Sequence, residues 1–144
     1  MASSASRPRT SVAAEDYLEK IEQLISRKGY ARVVDIAAEL KISQASVTAM
    51  VQKLDAEGFV KYEKYRGMVL TSTGLEVARR IAHRHQLLTE FLRAIGVADE
   101  KVIYDDVEGM EHHISPETFA AIEALTRYLE KNPNVMAKAT AAKK

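Results

Sequence analysis

Apolar residues return every three or four positions along most of this chain, and the spacing is broken only by two short runs in which apolar and polar residues alternate. Tyr17, Ile21, Leu24 and Ile25 fall at i, i+4, i+7 and i+8. Ser11 stands where a cap is needed and Gly29 where a stop is needed, so a first helix is predicted between them. A short second helix runs from Val34 to Leu40 with Ile36, Ala37 and Leu40 inward. Lys41-Ile42-Ser43 makes a turn, and Ser43 caps a third helix that reaches Glu57 and stops at Gly58. This spacing is that of a helix-turn-helix.

Phe59 to Tyr62 alternates as a strand, Glu63 to Gly67 supplies a polar turn, and Met68-Val69-Leu70 returns as a second strand, which together make a wing. Thr73 and Glu76 have capping-box spacing and open a long helix to about Ile95, with Val77, Ile81, His85, Leu88 and Leu92 along one side and Gly96 as its stop. Asp99 caps a helix through about His113. Ser115-Pro116 opens the last helix, with Ile114 and Phe119 placed as a hydrophobic staple. The expected fold is mainly α. It comprises a disordered arm (1–10), a winged helix-turn-helix lobe (11–72), a linking helix (73–95), an all-helical lobe (96–132) and a disordered Ala/Lys tail (133–144).

Composition adds limits. The 144 residues suffice for one compact core or two small ones sharing a hinge. A net charge of +1 decides little, because a basic face and an acidic cluster cancel in the total. With no cysteine, disulfides, iron–sulfur clusters and thiolate zinc sites are excluded, so any metal must be held by oxygen and imidazole. No apolar run reaches the ~18 to 20 residues that span a bilayer, and the Ser-rich start lacks a hydrophobic segment. No membrane partner and a cytoplasmic location are expected.

The third helix is the element that would enter a major groove of double-stranded DNA, with its N-terminal residues nearest the base edges. Gln44, Ser46, Thr48 and Gln52 carry hydrogen-bonding groups, Ala45 permits close approach, and Lys53 can reach phosphate. Lys64, Tyr65 and Arg66 put positive charge and a hydroxyl on the wing, and Arg7 and Arg9 could add to it from the arm. Read blandly, the same elements are a small packing motif for protein contacts.

Asp16 and Glu19 share one face of the first helix, as do Glu108, Glu111 and His112 of the fifth, and His85 lies among apolar neighbours on the fourth. Singly, each has an ordinary explanation as a solvated carboxylate or a core histidine. Together they offer four carboxylates and two imidazoles, more than one ion needs. Two ions per subunit, bridged by Glu108 or Glu111, follow as the expected form. Hard donors without sulfur suit Mn(II), while Fe(II), Co(II), Zn(II) or Cd(II) are possible substitutes. His83 and His113 are left unassigned.

Several segments together resemble a known family. Glu15-Asp16-Tyr17-Leu18-Glu19, Val51-Gln52-Lys53-Leu54, Tyr62-Glu63-Lys64-Tyr65-Arg66-Gly67, His83-Arg84-His85 and Asp106 through His113 are similar to manganese transport regulators, a branch of the diphtheria toxin repressor family. The resemblance runs from the first helix to the sixth. It implies a dimeric winged-helix repressor in which residues 96–132 form a helical dimerisation and metal-binding domain. It also implies that Asp16, Glu19, His85, Glu108, Glu111 and His112 match the family's binuclear ligands one for one. Iron-responsive relatives carry methionine where Asp16 stands and cysteine where Glu111 stands, which places this chain on the manganese side. The N-terminal arm and the C-terminal tail do not map to the family. The length leaves no room for the SH3-like domain of some iron-responsive members.

The resulting expectation is a homodimer that, when loaded with Mn(II), binds palindromic operators of manganese-uptake genes, because the metal ties Asp16 and Glu19 to the other ligands and sets the spacing of two recognition helices. One competing reading is a winged-helix regulator that answers Fe(II), Zn(II) or a non-metal ligand. Another is a metal-dependent hydrolase, and the chain offers no phosphate-cradling glycine loop for it. No enzyme activity is expected.

Overall fold

The computed structural model describes residues 10–142. In chain order its elements are α1 (Val12–Lys28), α2 (Val33–Leu40), α3 (Gln44–Ala56), β1 (Val60–Glu63), β2 (Gly67–Leu70), α4 (Ser72–Ala94), α5 (Glu100–Met110), α6 (Pro116–Lys131) and α7 (Pro133–Ala142). The chain divides into two compact units, one ending at Arg80 and the other beginning at Ile81, within α4.

In the first unit, α1 is capped by Ser11, whose hydroxyl accepts from the Ala14 N–H, and closed by Gly29, whose left-handed backbone (φ 82) returns its N–H to the Ile25 carbonyl. Tyr17, Leu18, Ile21 and Leu24 are buried against Ile36 and Ala37 of α2, Val47, Val51 and Leu54 of α3, and Phe59, Val60 and Met68 of the hairpin. Burying one such aliphatic side chain contributes about 1.5–3 kcal/mol, so this face of α1 holds the unit together. The turn between α2 and α3 places Lys41 in the left-handed region, and Ser43 caps α3 by accepting from the Ser46 N–H at 3.1 Å.

The wing is an antiparallel pair with Val60 opposite Leu70 and Tyr62 opposite Met68. Ala31 adds a further bridge, with the Met68 N–H donating to the Ala31 carbonyl at 3.0 Å. Gly67 makes that approach possible, since a Cβ there would lie 2.5 Å from the Ala31 oxygen.

The start of α4 differs from expectation. Thr71, not Thr73, is the capping residue. Its hydroxyl accepts from the Gly74 N–H at 3.1 Å and donates to the Gly58 carbonyl at 2.6 Å. Three consecutive hydroxyl residues, Thr71, Ser72 and Thr73, could each cap, and the bond to Gly58 selects the first.

In the second unit, Leu88 and Leu92 of α4 pack on Ile103 and Val107 of α5, with Phe91, Ile95, Val97, Met110, Ile114 and Ile122 around them. Gly96 (φ 101) ends the α4 segment, Asp99 caps α5 through the Lys101 N–H, and Ser115 caps α6 through the Thr118 N–H. Helix α5 stops at Met110, three residues before the expected His113, and residues 111–113 form a turn.

The disordered tail expected over 133–144 is corrected: Pro133–Ala142 is helical. Proline is well suited to the first turn of a helix and alanine is the strongest helix former, so the residues read as a terminator and a tail start a new helix instead. Of the arm expected over 1–10, only Thr10 is described, and its hydroxyl donates to the Glu15 carboxylate at 3.0 Å. Arg7 and Arg9 lie outside the described residues. None of the helices described is long and apolar enough to cross a membrane.

Candidate functional site

Helix α3 presents Gln44, Ala45, Ser46, Gln52 and Lys53 at the surface, with Thr48 half-buried, while Val47, Val51 and Leu54 hold its opposite face in the core. Ser46 is partly committed, since its hydroxyl accepts from the hydroxyl of the capping Ser43 at 2.9 Å. Lys64, Tyr65 and Arg66 form the wing tip. Tyr65 is 91% exposed with φ 69, the Lys64 ammonium lies 5.2 Å from its ring, and Arg66 is 3.6 Å from Glu63.

Between α3 and the wing runs a groove of about 310 Å³, whose lining includes Gln44, Thr48, Lys64, Tyr65 and Arg32. Arg32 is an exposed cation seated over the Tyr30 ring at 4.7 Å, on the same groove as the expected reading residues. Sequence reasoning missed it. The available signal was its position immediately before the first residue of α2, where an arginine has no capping role to perform.

The second unit brings His85, Glu108 and Glu111 together. His85 Nδ1 lies 2.9 Å from Glu111 Oε2 and 3.4 Å from Glu108 Oε1, and one donor atom from each residue falls within 4.8 Å of the other two. The spacing explains the meeting of the two acids, since Glu108 and Glu111 are three apart and Glu111, although past the end of α5, keeps right-handed backbone angles. His112 joins through Glu111, with Nε2 at 3.4 Å from Oε1. The Glu111 side chain is completely buried, and its Oε1 has no hydrogen-bond partner among the described residues.

A buried carboxylate oxygen without a donor costs about 1–3 kcal/mol, a cost that a bound cation would remove. The donor set is carboxylate and imidazole with no sulfur. The residues therefore fit a divalent metal ion.

Around this cluster, the His85 carbonyl accepts from the Thr89 hydroxyl at 2.8 Å and the His85 ring meets Tyr104 edge-on at 5.9 Å. Both side chains line a cavity of about 210 Å³ that is also bounded by Arg93 and Glu100. Arg93 donates twice to Glu100, at 3.1 and 2.7 Å. That hydrogen-bonded pairing holds the Glu100 carboxyl below the usual range and raises Arg93.

Asp16 and Glu19 belong to the other unit, one turn apart on α1, where Glu19 is buried and Asp16 half-buried. His83 stands outside the cluster, 3.5 Å from Glu123, and His113 is exposed in the turn after α5. Of the apolar residues on α5 and α6, Ile103, Val107 and Leu129 are buried, whereas Val102, Tyr104, Leu125 and Tyr128 are exposed.

Comparison with known proteins agrees with this division of labour. Residues 9–68 match the family model described as iron dependent repressor, N-terminal DNA binding domain. Residues 71–138 match the one described as iron dependent repressor, metal binding and dimerisation domain. The chain is 51% identical to an HTH-type transcriptional regulator MntR of Lysinibacillus sphaericus, over 90% of this chain and 92% of that protein. It is 53% identical to the regulator of the same name from Bacillus subtilis, over 85% and 86%. Among solved structures, that of the manganese regulator SloR superposes with a TM-score of 0.70 at 29% identity. That match covers 80% of this chain and 54% of SloR, so the chain spans about half of that protein. With both domain models matched in order along nearly its whole length, the chain belongs to the iron-dependent repressor family, as a metal-dependent transcriptional regulator that joins a DNA-binding domain to a metal-binding and dimerisation domain.

Proposed function

We propose that this chain is a cytoplasmic, Mn(II)-responsive repressor that binds palindromic operators of manganese-uptake genes as a homodimer when loaded with metal. The observation that carries the metal reading is the buried Glu111 carboxylate, which turns one oxygen to His85 and leaves the other without a donor among the described residues. The names of the relatives support the choice of metal and of role, SloR being described as a manganese regulator.

The proposed ligands are His85, Glu108, Glu111 and His112 of the second unit, with Asp16 and Glu19 of α1 completing a set for two ions per subunit. A bound divalent cation supplies the positive charge that offsets repulsion among these carboxylates. His85 would offer Nδ1 to it, the ring nitrogen that already faces the Glu108 and Glu111 carboxylates. Fe(II), Co(II), Zn(II) and Cd(II) would compete through the same donors. On the DNA side, Gln44, Ala45, Ser46, Thr48 and Gln52 are proposed to read base edges, and Lys53, Lys64, Tyr65 and Arg66 to contact the backbone.

Selection of bound sequences from a random duplex pool tests this, with purified protein and either Mn(II) or a chelator. A two-fold symmetric sequence enriched only with Mn(II) is expected. Equal enrichment under both conditions would remove metal from the mechanism.

A further inference from the structure

Helix α5 ends without the usual terminators. Glu111 follows it as C-cap with φ −61 and ψ −27, no basic residue stands in its last turn, and no residue from 111 to 115 has a positive φ. The carbonyls at such an end have no intrahelical donors and carry the negative pole of the helix.

The Val107 and Met110 carbonyls accept from the Glu111 and His113 N–H groups, and the Glu111 carbonyl that follows finds its donor on α4. Arg84 Nη1 donates to the Glu111 carbonyl at 3.1 Å and to the Ile114 carbonyl at 2.7 Å, so one guanidinium spans the turn that carries Glu111 and His112. The guanidinium is itself held, lying 5.6 Å over the Phe119 ring of α6, which His83 meets edge-on at 5.4 Å. The next residue, His85, touches the same Glu111 through its carboxylate. Two consecutive residues of α4 thus grip Glu111, one by its main chain and one by its side chain.

We propose that Arg84 is a positioning residue for the metal centre: by holding the Glu111 and Ile114 carbonyls it fixes the turn that presents the Glu111 carboxylate and the His112 imidazole. This rests on the metal-binding function proposed above. Without the guanidinium both carbonyls turn to water, and the turn must be ordered at the moment of binding, which lowers affinity. Loss of a group that orients a metal ligand typically weakens binding about 10–100-fold. Lysine brings charge and donors but not the planar guanidinium that lies over the Phe119 ring and fixes the direction of Nη1, and it recovers only part of the effect.

The test compares the full-length protein with Arg84→Met and Arg84→Lys. Mn(II) affinity is measured by electron paramagnetic resonance of the free ion, and amide exchange over residues 111–115 is followed in metal-free protein. The Glu111 and His113 amides are reporters, since they donate to Val107 and Met110. Arg84→Met is expected to bind Mn(II) about 10–100-fold more weakly and to exchange faster in that turn, with Arg84→Lys between it and wild type. A purely structural role would lower the melting temperature while the folded variant bound Mn(II) with wild-type affinity, and that result overturns the proposal. If Arg84→Met does not fold, Arg84→Lys decides: weakened binding supports the role and wild-type affinity refutes it. Wild type failing to bind Mn(II) would remove the proposed function and this inference together, whereas unchanged affinity in the variants removes only the role of Arg84.

Discussion

Replacing Glu111 by glutamine should make the metal-free protein more stable and the metal-loaded protein less so. The carboxylate is fully buried, with Oε2 at 2.9 Å from His85 Nδ1 and Oε1 lacking a hydrogen-bond partner among the described residues, 3.4 Å from His112 Nε2. An unsatisfied buried acceptor costs about 1–3 kcal/mol. Glutamine keeps the shape, its carbonyl oxygen can still accept from His85, and its NH2 group can donate to a neutral His112 from the position of Oε1. About 1 kcal/mol of gain without metal is expected, worth about 2–4 °C in a chain of this size. With Mn(II) at about 100 times its dissociation constant, wild type gains about 2.7 kcal/mol and the variant, short of one carboxylate, gains almost none. Thermal unfolding followed by circular dichroism, once in chelator and once in Mn(II), should therefore rank the two proteins in opposite orders. Clear destabilisation of Glu111→Gln in chelator would mean that the carboxylate is structural. Equal stabilisation of both by Mn(II) would mean that it is not a ligand.

Gly74→Ala should destabilise the first unit by about 2–4 kcal/mol despite alanine's better helix propensity, because the added Cβ would lie 1.9 Å from the Phe59 carbonyl oxygen, which also accepts from the Thr71 N–H. Chemical denaturation measures it, and a neutral result would mean that the hairpin and α4 move apart freely. Arg93→Met bears on pH dependence: pairing with Arg93 depresses the Glu100 carboxyl in the folded protein below its ordinary 4.5, so the pair stabilises above that pH. The gap between wild type and Arg93→Met should accordingly be full above pH 4.5 and close as pH falls through the depressed value. It should also shrink in salt, since both groups are exposed. Lys64→Ala should weaken DNA binding about equally on all sequences and reduce the slope of log affinity against log salt by about 1, whereas a sequence-selective loss would assign Lys64 to a base.

Much of the fold can be read along the chain because its punctuation is local. Ser11, Ser43, Asp99 and Ser115 cap helices through their own side chains, and Gly29 and Gly96 close them with positive φ, none of which needs a distant partner. Readings failed where a distant partner decides. Thr71 is chosen over Thr73 by the Gly58 carbonyl, the Ala31 bridge depends on an oxygen reaching Gly67, and α5 stops at Met110 with its trailing carbonyls held by Arg84 of α4. In the candidate site, helical spacing already grouped Glu108 with Glu111, and the packing of α4 on α5 adds His85 while sending His83, two residues earlier, to Glu123 and Phe119. Arg32 went unnoticed because its place on the groove is set by where the wing folds back, which no local pattern encodes.

The central claim is that metal governs DNA binding through the carboxylate and imidazole set, and operator-fragment binding tests it most directly. Fluorescence anisotropy at fixed salt would compare wild type with Glu111→Gln, first in chelator and then across a Mn(II) titration. The account predicts that Mn(II) tightens wild-type binding about 100-fold, equivalent to about 2.7 kcal/mol of coupling, and that Glu111→Gln loses most of that response. Wild-type affinity that is the same in chelator and in saturating Mn(II) would contradict it.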